Sequence, residues 1–366
     1  MVALKIPATP EELSADWLTD ALRSTGTIGG ANVVSYESQR VGEGAGFIGQ
    51  LALVTLRYDR PEEGAPASLI AKFPAVDPGG REIGNIFRFY EREARFYEQI
   101  AGEIDIRTPR CYYNGMDLTA GEFILLLEDL APACVGDQLE GCTAAEMRLA
   151  VREVAKLHAT WWDHPRLESL DWMPYINDRV NQSAEGAYQR ALPAFVEFVK
   201  DKVPASIVAL AEKQQHRVIA SLDRMVTRPI TIVHGDYRMD NLFFQTPQGG
   251  SPLAVIDWQI ANRGVGVFDV AYLLSGNVDS RIRKAKERDV LKMYHDTLLA
   301  GGVKGYSFDK CWDDYRFCVL FCLVYNVIGM GTLDMANERG VAMWTSWLKR
   351  TAAAIEDLDA ADLLPA

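Results

Sequence analysis

Two acidic residues and one amide lie in short polar segments that follow apolar, β-prone runs. Asp236 and Asn241 belong to the segment Val233-His-Gly-Asp-Tyr-Arg-Met-Asp-Asn241, and Asp257 ends a second short run sixteen residues beyond Asn241. Phosphoryl transfer requires a carboxylate that orients the attacking hydroxyl, oxygen ligands for Mg²⁺ and positive groups near the phosphates. Mg²⁺ accepts carboxylate and carbonyl oxygens while it keeps several waters. The order and spacing of the two segments together favour such a site, although each segment alone is typical of a turn or a helix cap.

A lysine interrupts the apolar run Ile70-Ala-Lys-Phe-Pro74. Burying a lysine is costly unless a partner compensates its charge. The predicted partner of Lys72 is Glu93, in the helical segment Tyr90-Glu-Arg-Glu-Ala-Arg-Phe-Tyr97. Glu91 lies about 200° from Glu93 around a helix, so only one of them faces the lysine. The alternative is an edge-strand lysine that reaches water.

Three glycines, Gly44, Gly46 and Gly49, form a G-x-G-x-x-G pattern. In a dinucleotide-binding unit a helix follows this pattern, whereas here the β-prone segment 50–58 follows it. Strand, glycines and strand are the arrangement of a kinase-type loop, which covers phosphates with backbone N–H groups. A simple glycine hairpin is the alternative, and the pattern leaves open which glycine contacts a phosphate.

The elements that must position these residues change character along the chain. Strand-like runs and a small mixed sheet are predicted in the first third, and helices dominate after residue 130. The boundary between the strand-rich and the helix-rich part falls within residues 127–136, so we expect an α+β protein with domains 1–129 and 130–366. The predicted strands are 33–41, 50–58, 68–73, 110–115, 123–127, 230–233 and 253–256, and the predicted helices include 9–23, 87–100, 143–162, 184–200 and 205–225.

The pattern H-x-D-x-x-x-x-N followed by a strand-terminal aspartate resembles the protein-kinase signature set. The glycine in His234-Gly-Asp236, and Asp257-Trp in place of Asp-Phe-Gly, make the chain similar to the aminoglycoside phosphotransferase and choline kinase superfamily. The segments Asn262-Arg-Gly, Phe268-Asp-Val-Ala-Tyr-Leu and Leu157-His-Ala-Thr-Trp-Trp162 most resemble its CHK-kinase-like (ecdysteroid kinase-like) branch. The resemblance spans roughly residues 33–274. It implies a two-lobed, protein-kinase-like fold with a small mixed β-sheet N-lobe and a large, mainly helical C-lobe.

The resemblance also implies roles for the matching residues, with ATP and Mg²⁺ as cofactors and a small-molecule hydroxyl as acceptor. ATP and GTP are not distinguished. In the implied scheme Asp236 orients or deprotonates the hydroxyl, and Arg238 contacts the transferred group. Asn241 and Asp257 hold Mg²⁺, while His234 and Asp269 support the loop. The phosphates are held by Lys72, Glu93 and the glycines, and the adenine edge is bound by backbone groups at Glu128 and Leu130.

Charge and composition narrow the remaining classes of function. The 366 residues include 38 basic and 50 acidic ones, a formal net charge of −12, which disfavours binding to nucleic acid or anionic membranes. Residues 1–18 lack a basic start followed by an apolar run, so we expect no secretory signal. The apolar stretch 317–330 is too short to span a membrane. Six cysteines without a C-x-x-C pair predict a cytoplasmic protein.

The acceptor is the least defined part of the prediction. Aromatic residues are frequent in segments 172–200 and 277–331, which favours an apolar alcohol. A polycationic aminoglycoside, the other named acceptor, would need clustered acids. Two other functions compete with a kinase. A catalytically silent nucleotide-binding module is disfavoured because Lys72, Asp236, Asn241 and Asp257 are all present, and an NAD-dependent oxidoreductase because a strand follows the glycines.

Overall fold

The computed structural model describes residues 4–42, 49–245, 252–333 and 335–366. The chain forms two compact units. The N-terminal unit contains Met1–Glu103, Thr108–Pro132 and Ile256–Ile260, and the C-terminal unit contains Ile104–Arg107, Ala133–Val255 and Ala261–Ala366. A single boundary after residue 129 is therefore incomplete: the main change falls after Pro132, and two short segments belong to the opposite unit. One of these segments carries Asp257 into the N-terminal unit.

Five strands form one sheet in the N-terminal unit: β1 (Val33–Val41), β2 (Gly49–Tyr58), β3 (Ser68–Pro74), β4 (Cys111–Asp117) and β5 (Glu122–Glu128). Their order is β1-β2-β3-β5-β4, and every described pairing is antiparallel rather than mixed as predicted. Strand β2 alternates between buried and more exposed residues because one face of the sheet meets the core. The central strands β3 and β5 carry the apolar runs that the sequence shows.

Three helices complete the N-terminal unit: α1 (Ala15–Ser24), α2 (Pro78–Ile86) and α3 (Phe89–Gln99). The predicted helix 9–23 is divided, because a short 3₁₀ turn at Pro10–Glu12 precedes α1, which the Ser14 side chain caps. Helix α3 begins after Arg88, whose backbone has the left-handed φ of 57° and separates α3 from α2. The apolar face of α1 packs on the sheet through buried Leu18 and Leu22, which lie in one core with Val54.

The C-terminal unit is mainly helical. Thr143 and Glu146 form a capping box at the start of its first helix. The predicted helix 205–225 is two helices, Ala205–Gln214 and Val218–Arg224. The strands and helices of the C-terminal unit are, in chain order, β6 (Cys134–Val135), α4 (Ala144–Thr160), α5 (Arg179–Gln182), α6 (Ala184–Val199), α7 (Ala205–Gln214), α8 (Val218–Arg224), β7 (Thr231–Val233), β8 (Leu242–Phe244), β9 (Leu253–Val255), β10 (Asn262–Gly264), α9 (Val267–Asn277), α10 (Ser280–Ala300), α11 (Phe308–Gly331) and α12 (Glu338–Asp357).

Two buried helices form the centre of the C-terminal unit. Every residue of α9 is buried, and α9 packs against α11 and α12. Helix α11 is long and apolar enough to cross a membrane, but 72% of its most apolar window is buried inside the protein. Its burial against α6, α9 and α12 identifies it as a core helix, as predicted for residues 317–330.

Candidate active site

The candidate catalytic loop lies between β7 and β8 in the C-terminal unit. Gly235 takes a φ of 84°, which a residue with a Cβ rarely adopts, and turns the chain into Asp236. The Asp236 carboxylate accepts three hydrogen bonds: Tyr272 Oη donates to Oδ1 at 2.8 Å, and Arg238 Nε and Asn241 Nδ2 each donate to Oδ2 at 3.0 Å. The loop therefore presents an aspartate whose side-chain orientation is fixed from three sides.

The charge of Asp236 is stabilised by these partners. Burial alone would raise the pKa of Asp236, but the Arg238 guanidinium and the hydrogen bonds from Arg238 and Tyr272 outweigh it and hold the pKa below its ordinary value. Arg238 also pairs with Asp240 and donates from Nη1 to Gln138 Oε1 at 3.0 Å. Asp240 is thus part of this network rather than a solvated turn residue. Asp236 is ionised at neutral pH and is suited to orienting a hydroxyl.

Helix α9 holds the catalytic loop at both of its ends. Asp269 accepts the backbone N–H groups of His234 and Gly235 at 2.7 and 3.0 Å, which agrees with its predicted supporting place behind the loop. Asn277, at the end of α9, accepts the Met239 N–H at 3.0 Å. These bonds satisfy backbone groups that a buried loop would otherwise leave unpaired.

A buried histidine extends this support to a second helix. His158 of α4 lies with Nε2 3.2 Å from Asp269 Oδ2 and with Nδ1 2.9 Å from the Tyr294 hydroxyl. Both its neighbours belong to the C-terminal unit, and His158 itself is fully buried. His158 therefore contacts the residue that braces the candidate catalytic loop.

The second cluster of predicted residues lies within the N-terminal unit. Lys72 of β3 and Glu93 of α3 form the predicted ion pair, with Nζ 2.6 Å from Oε2. Lys72 Nζ also lies 2.9 Å from Oδ1 of Asp257. Glu91, on the other side of α3, instead pairs with Arg88 and Arg95. One buried ammonium therefore faces two carboxylates.

This imbalance of charge shifts the pKa values of the cluster. Burial by itself lowers the pKa of Lys72, but Asp257 and Glu93 outweigh it and raise that pKa above its ordinary value. Burial raises the pKa of Glu93 to about 7, against the attraction of Lys72 and with repulsion from Asp257. The Glu93 side chain is 1% exposed and that of Asp257 is 25% exposed. The buried Glu93 carboxyl is therefore the member of the cluster whose pKa burial raises.

The residue after Asp257 anchors this segment to α3. The Trp258 ring stacks on Phe96 with centroids 4.1 Å apart and ring planes 8° apart. Phe96 follows Glu93 by three residues on α3, so the same helix face holds the glutamate and the stacked ring. Asp257 itself has a left-handed φ of 65°, a strained backbone conformation that is common at functional positions.

The other predicted residues are placed as follows. Gly44 and Gly46 lie outside the described residues. Gly49 begins β2, where an added Cβ would lie 3.0 Å from the Phe73 carbonyl oxygen, so close strand packing by itself favours glycine. Glu128 ends β5 and accepts the Arg110 N–H at 3.0 Å through its side chain. Leu130 is buried.

Tyr272 and Asn277 are site residues that sequence reasoning missed. Tyr272 stands in the quoted segment Phe268-Asp-Val-Ala-Tyr-Leu, three residues after Asp269, which is the helical spacing that places both on one face. That spacing was a usable signal for Tyr272. No pattern in the chain pointed to Asn277.

The sequence profile of the ecdysteroid kinase-like family matches residues 43–302, which is most of the chain and includes both clusters. The chain belongs to the ecdysteroid kinase-like family. The matched range includes the candidate catalytic loop, the lysine–glutamate pair and Asp257.

Two curated proteins match this family member in part. An uncharacterized oxidoreductase of Caenorhabditis elegans, dhs-27, is 21% identical in an alignment of 340 residues that covers 82% of this chain and 39% of that protein. The mouse acyl-CoA dehydrogenase family member 10 is 50% identical in an alignment of 127 residues that covers 30% of this chain and 12% of that protein. The chain spans well under half the length of either relative, so their names describe proteins with much additional sequence.

Solved structures confirm the fold. The GDP complex of aminoglycoside 2'-phosphotransferase-IIIa aligns with a TM-score of 0.54 and 15% identity over 93% of this chain and 99% of that one. A microcompartment-associated aminopropanol kinase aligns with a TM-score of 0.51 and 15% identity over 94% and 99%. Choline kinase from Cryptosporidium parvum aligns with a TM-score of 0.51 and 11% identity over 88% of this chain and 90% of that one. The family member therefore has the α+β, kinase-like fold of small-molecule phosphotransferases, as the sequence predicted.

Proposed function

We propose that this family member transfers the γ-phosphate of ATP to a hydroxyl group of a small molecule. The observation that carries the proposal is the Asp236 carboxylate, which is ionised, immobilised by three donors and placed on a loop braced by α9. A carboxylate in this state can orient a hydroxyl and accept its proton as the reaction proceeds.

The proposed reaction needs no covalent intermediate on the protein. The acceptor oxygen attacks the γ-phosphorus, the bond between that phosphorus and the β–γ bridging oxygen breaks, and ADP leaves with the bond's electrons. The hydroxyl proton passes to Asp236. Arg238 lies 3.0 Å from Asp236 and is the side chain that we propose to contact the transferred group.

We propose that Lys72 holds the α- and β-phosphates, because Glu93 and Asp257 keep its ammonium charged and restrict its position. Gly44, Gly46 and Gly49 would cover the phosphates, and backbone groups at Glu128 and Leu130 would bind the adenine edge. That one protein with this fold is a GDP complex supports a nucleotide donor.

Asn241 and Asp257 are the proposed Mg²⁺ ligands. Their donors are an amide oxygen and a carboxylate, the hard oxygen ligands that Mg²⁺ takes. Both described bonds of Asn241 to Asp236 use Nδ2, so its amide oxygen is the proposed ligand atom. No group of three or more His, Cys, Asp or Glu side chains among the described residues is arranged to hold a metal. A two-residue set still fits, since Mg²⁺ usually retains several waters and would neutralise charge on the phosphates.

An aromatic cluster beside the catalytic loop supports an apolar alcohol as acceptor. The Tyr272 ring packs edge-on against Tyr325 and Trp347, at centroid distances of 5.5 and 5.0 Å, and Trp344 stacks on Trp347 at 4.7 Å. An aminoglycoside remains the second acceptor class to be screened. All six cysteines are free thiols, which fits the proposed cytoplasmic location.

The experiment that tests the proposal is a thermal melt with and without Mg²⁺–ATP, in the wild type, Asp257→Ala and Asp236→Asn. Ligand at a hundred times its dissociation constant adds about 2.7 kcal/mol to the stability of the folded state. We expect a Mg²⁺-dependent rise in Tm of a few degrees in the wild type and Asp236→Asn, and a much smaller one in Asp257→Ala. GTP is tested in parallel.

Phosphate transfer is then followed by ³¹P NMR with apolar alcohols and aminoglycosides. Transfer by the wild type and its loss in Asp236→Asn establish the activity. Stabilisation by nucleotide in all three proteins, with slow ADP release that Asp236→Asn leaves unchanged, would instead indicate a catalytically silent nucleotide-binding module. No stabilisation by either nucleotide at millimolar concentration would overturn the proposal.

A further inference from the structure

The lone pairs of the Asp236 carboxylate are unequally used. Oδ2 accepts two hydrogen bonds, from Arg238 Nε and Asn241 Nδ2. Oδ1 accepts one, from the Tyr272 hydroxyl at 2.8 Å. A carboxylate oxygen has two acceptor sites, so among the described contacts the open site of this carboxylate is on Oδ1. Any hydroxyl that the aspartate orients must therefore use the oxygen that Tyr272 already holds.

Tyr272 is itself held in place. It is 4% exposed, and its ring contacts Trp347 and Tyr325 edge-on. Trp347 in turn has no room to move toward α9, because a Cβ on Gly276 would lie 2.8 Å from its Nε1. Because movement of the Tyr272 ring is restricted in this way, the position of its hydroxyl determines the direction of the hydrogen bond to Asp236, and the hydroxyl does not adjust to movements of the carboxylate.

The same helix sets the backbone and the side chain of the catalytic loop. Asp269 holds the N–H groups of His234 and Gly235, and Tyr272, three residues later on α9, holds the carboxylate of Asp236. Because one turn of one helix makes both contacts, the distance between the loop backbone and Oδ1 is determined by rigid helical geometry.

We propose that Tyr272 is a positioning residue for Asp236, whose hydroxyl fixes Oδ1 so that its open acceptor site faces the substrate hydroxyl. This inference rests on the proposed phosphotransferase function. Without the tyrosine hydroxyl the carboxylate keeps both donors on Oδ2, yet it can rotate about them, and the geometry that aligns the attacking oxygen is lost.

The test compares Tyr272→Phe with Tyr315→Phe. Tyr315 is a matched control, since it is also a buried tyrosine of the C-terminal unit that donates to a buried carboxylate, Glu287, at 3.1 Å. Two properties are measured: titration of the Asp236 carboxyl by ¹³C NMR without nucleotide, assigned by its loss in Asp236→Asn, and the pH profile of basal Mg²⁺–ATP hydrolysis, with water as acceptor.

In Tyr272→Phe we expect the Asp236 titration to move to higher pH, because a donor that favours the carboxylate is removed. The rate of ATP hydrolysis should fall about tenfold, as expected for the loss of one hydrogen bond to a charged group. The acid limb of the pH profile of this rate should shift to higher pH. Tyr315→Phe should lose stability without either change.

An unchanged Asp236 titration in Tyr272→Phe overturns the inference, and so does equal behaviour of the two variants. These outcomes are separate from failure of the proposed function, because the titration needs no nucleotide. A wild type that Mg²⁺–ATP does not stabilise would overturn the proposed function and, with it, the catalytic meaning of Tyr272.

Discussion

The substitution Glu93→Gln should remove a pH-dependent cost to folding. Burial raises the pKa of Glu93 to about 7 from an ordinary value of 4.5. Between those pH values the folded protein binds a proton on Glu93 that the unfolded chain has lost. The free energy of unfolding therefore falls as pH rises through this window, and the full cost is reached above about pH 7. At 1.36 kcal/mol per tenfold change in proton affinity, the cost is roughly 3 kcal/mol.

The assay is urea unfolding of the wild type and Glu93→Gln at a series of pH values from 4.5 to 8.5. Most other carboxyl groups titrate alike in both proteins, so the difference between their unfolding free energies isolates Glu93. We expect the stability of the wild type relative to the variant to fall by about 3 kcal/mol as pH rises from 4.5 to 8. Gln keeps the size of the side chain, and Asp257 still pairs with Lys72.

Glu91→Gln is the matched control on the same helix, with the opposite sign. Arg88 and Arg95 outweigh burial and hold the pKa of Glu91 below its ordinary value. Its stabilisation is present above the unfolded pKa of about 4.5 and is lost as pH falls below it, so with the series extended to lower pH the wild type should gain stability relative to Glu91→Gln as pH rises to about 4.5 and should change little above it. If the Glu93→Gln difference is flat, or rises with pH like that of Glu91→Gln, then the Lys72 ammonium outweighs burial and our reasoning about the cluster is wrong.

Two further substitutions test the catalytic loop. Asp236→Asn should lower phosphate transfer, or basal Mg²⁺–ATP hydrolysis, by about 10²- to 10⁴-fold, the usual contribution of a general base, and its circular dichroism should match the wild type. Asn277→Ala removes the acceptor of the Met239 N–H and should lower the free energy of unfolding by about 1–3 kcal/mol in urea titrations. An Asn277→Ala protein as stable as the wild type would show that another group or water satisfies that N–H.

Much of the site was predictable because its signals are local. The spacing of Asp236 and Asn241 lies within one loop, and helical geometry predicted that only one of Glu91 and Glu93 faces Lys72, which the structure shows to be Glu93. Apolar, β-prone runs placed all five of the sheet's strands within two residues of their observed bounds, among them β1. In each case the residues that determine the outcome are close in sequence, or share one element with a known period.

The remaining features depend on contacts between distant segments. Asn277 reaches Met239 across 38 residues, and His158 reaches Asp269 across 111. Neither distance follows from a period. The break at Arg88 depends on one left-handed residue, and residues 256–260 join the N-terminal unit because Trp258 stacks on Phe96. Propensity carries no information about either choice.

The cluster around Lys72 links stability to the proposed function. Two carboxylates around one ammonium leave excess negative charge, which costs stability near neutral pH. The same excess attracts a dication, and our proposal places Mg²⁺ on Asp257. A cation there would lower the pKa of Glu93, so that the folding cost would be released when metal and nucleotide bind. A cluster built for stability alone would pair one carboxylate with one ammonium. The third charge is therefore the feature of the N-terminal unit that points to a ligand.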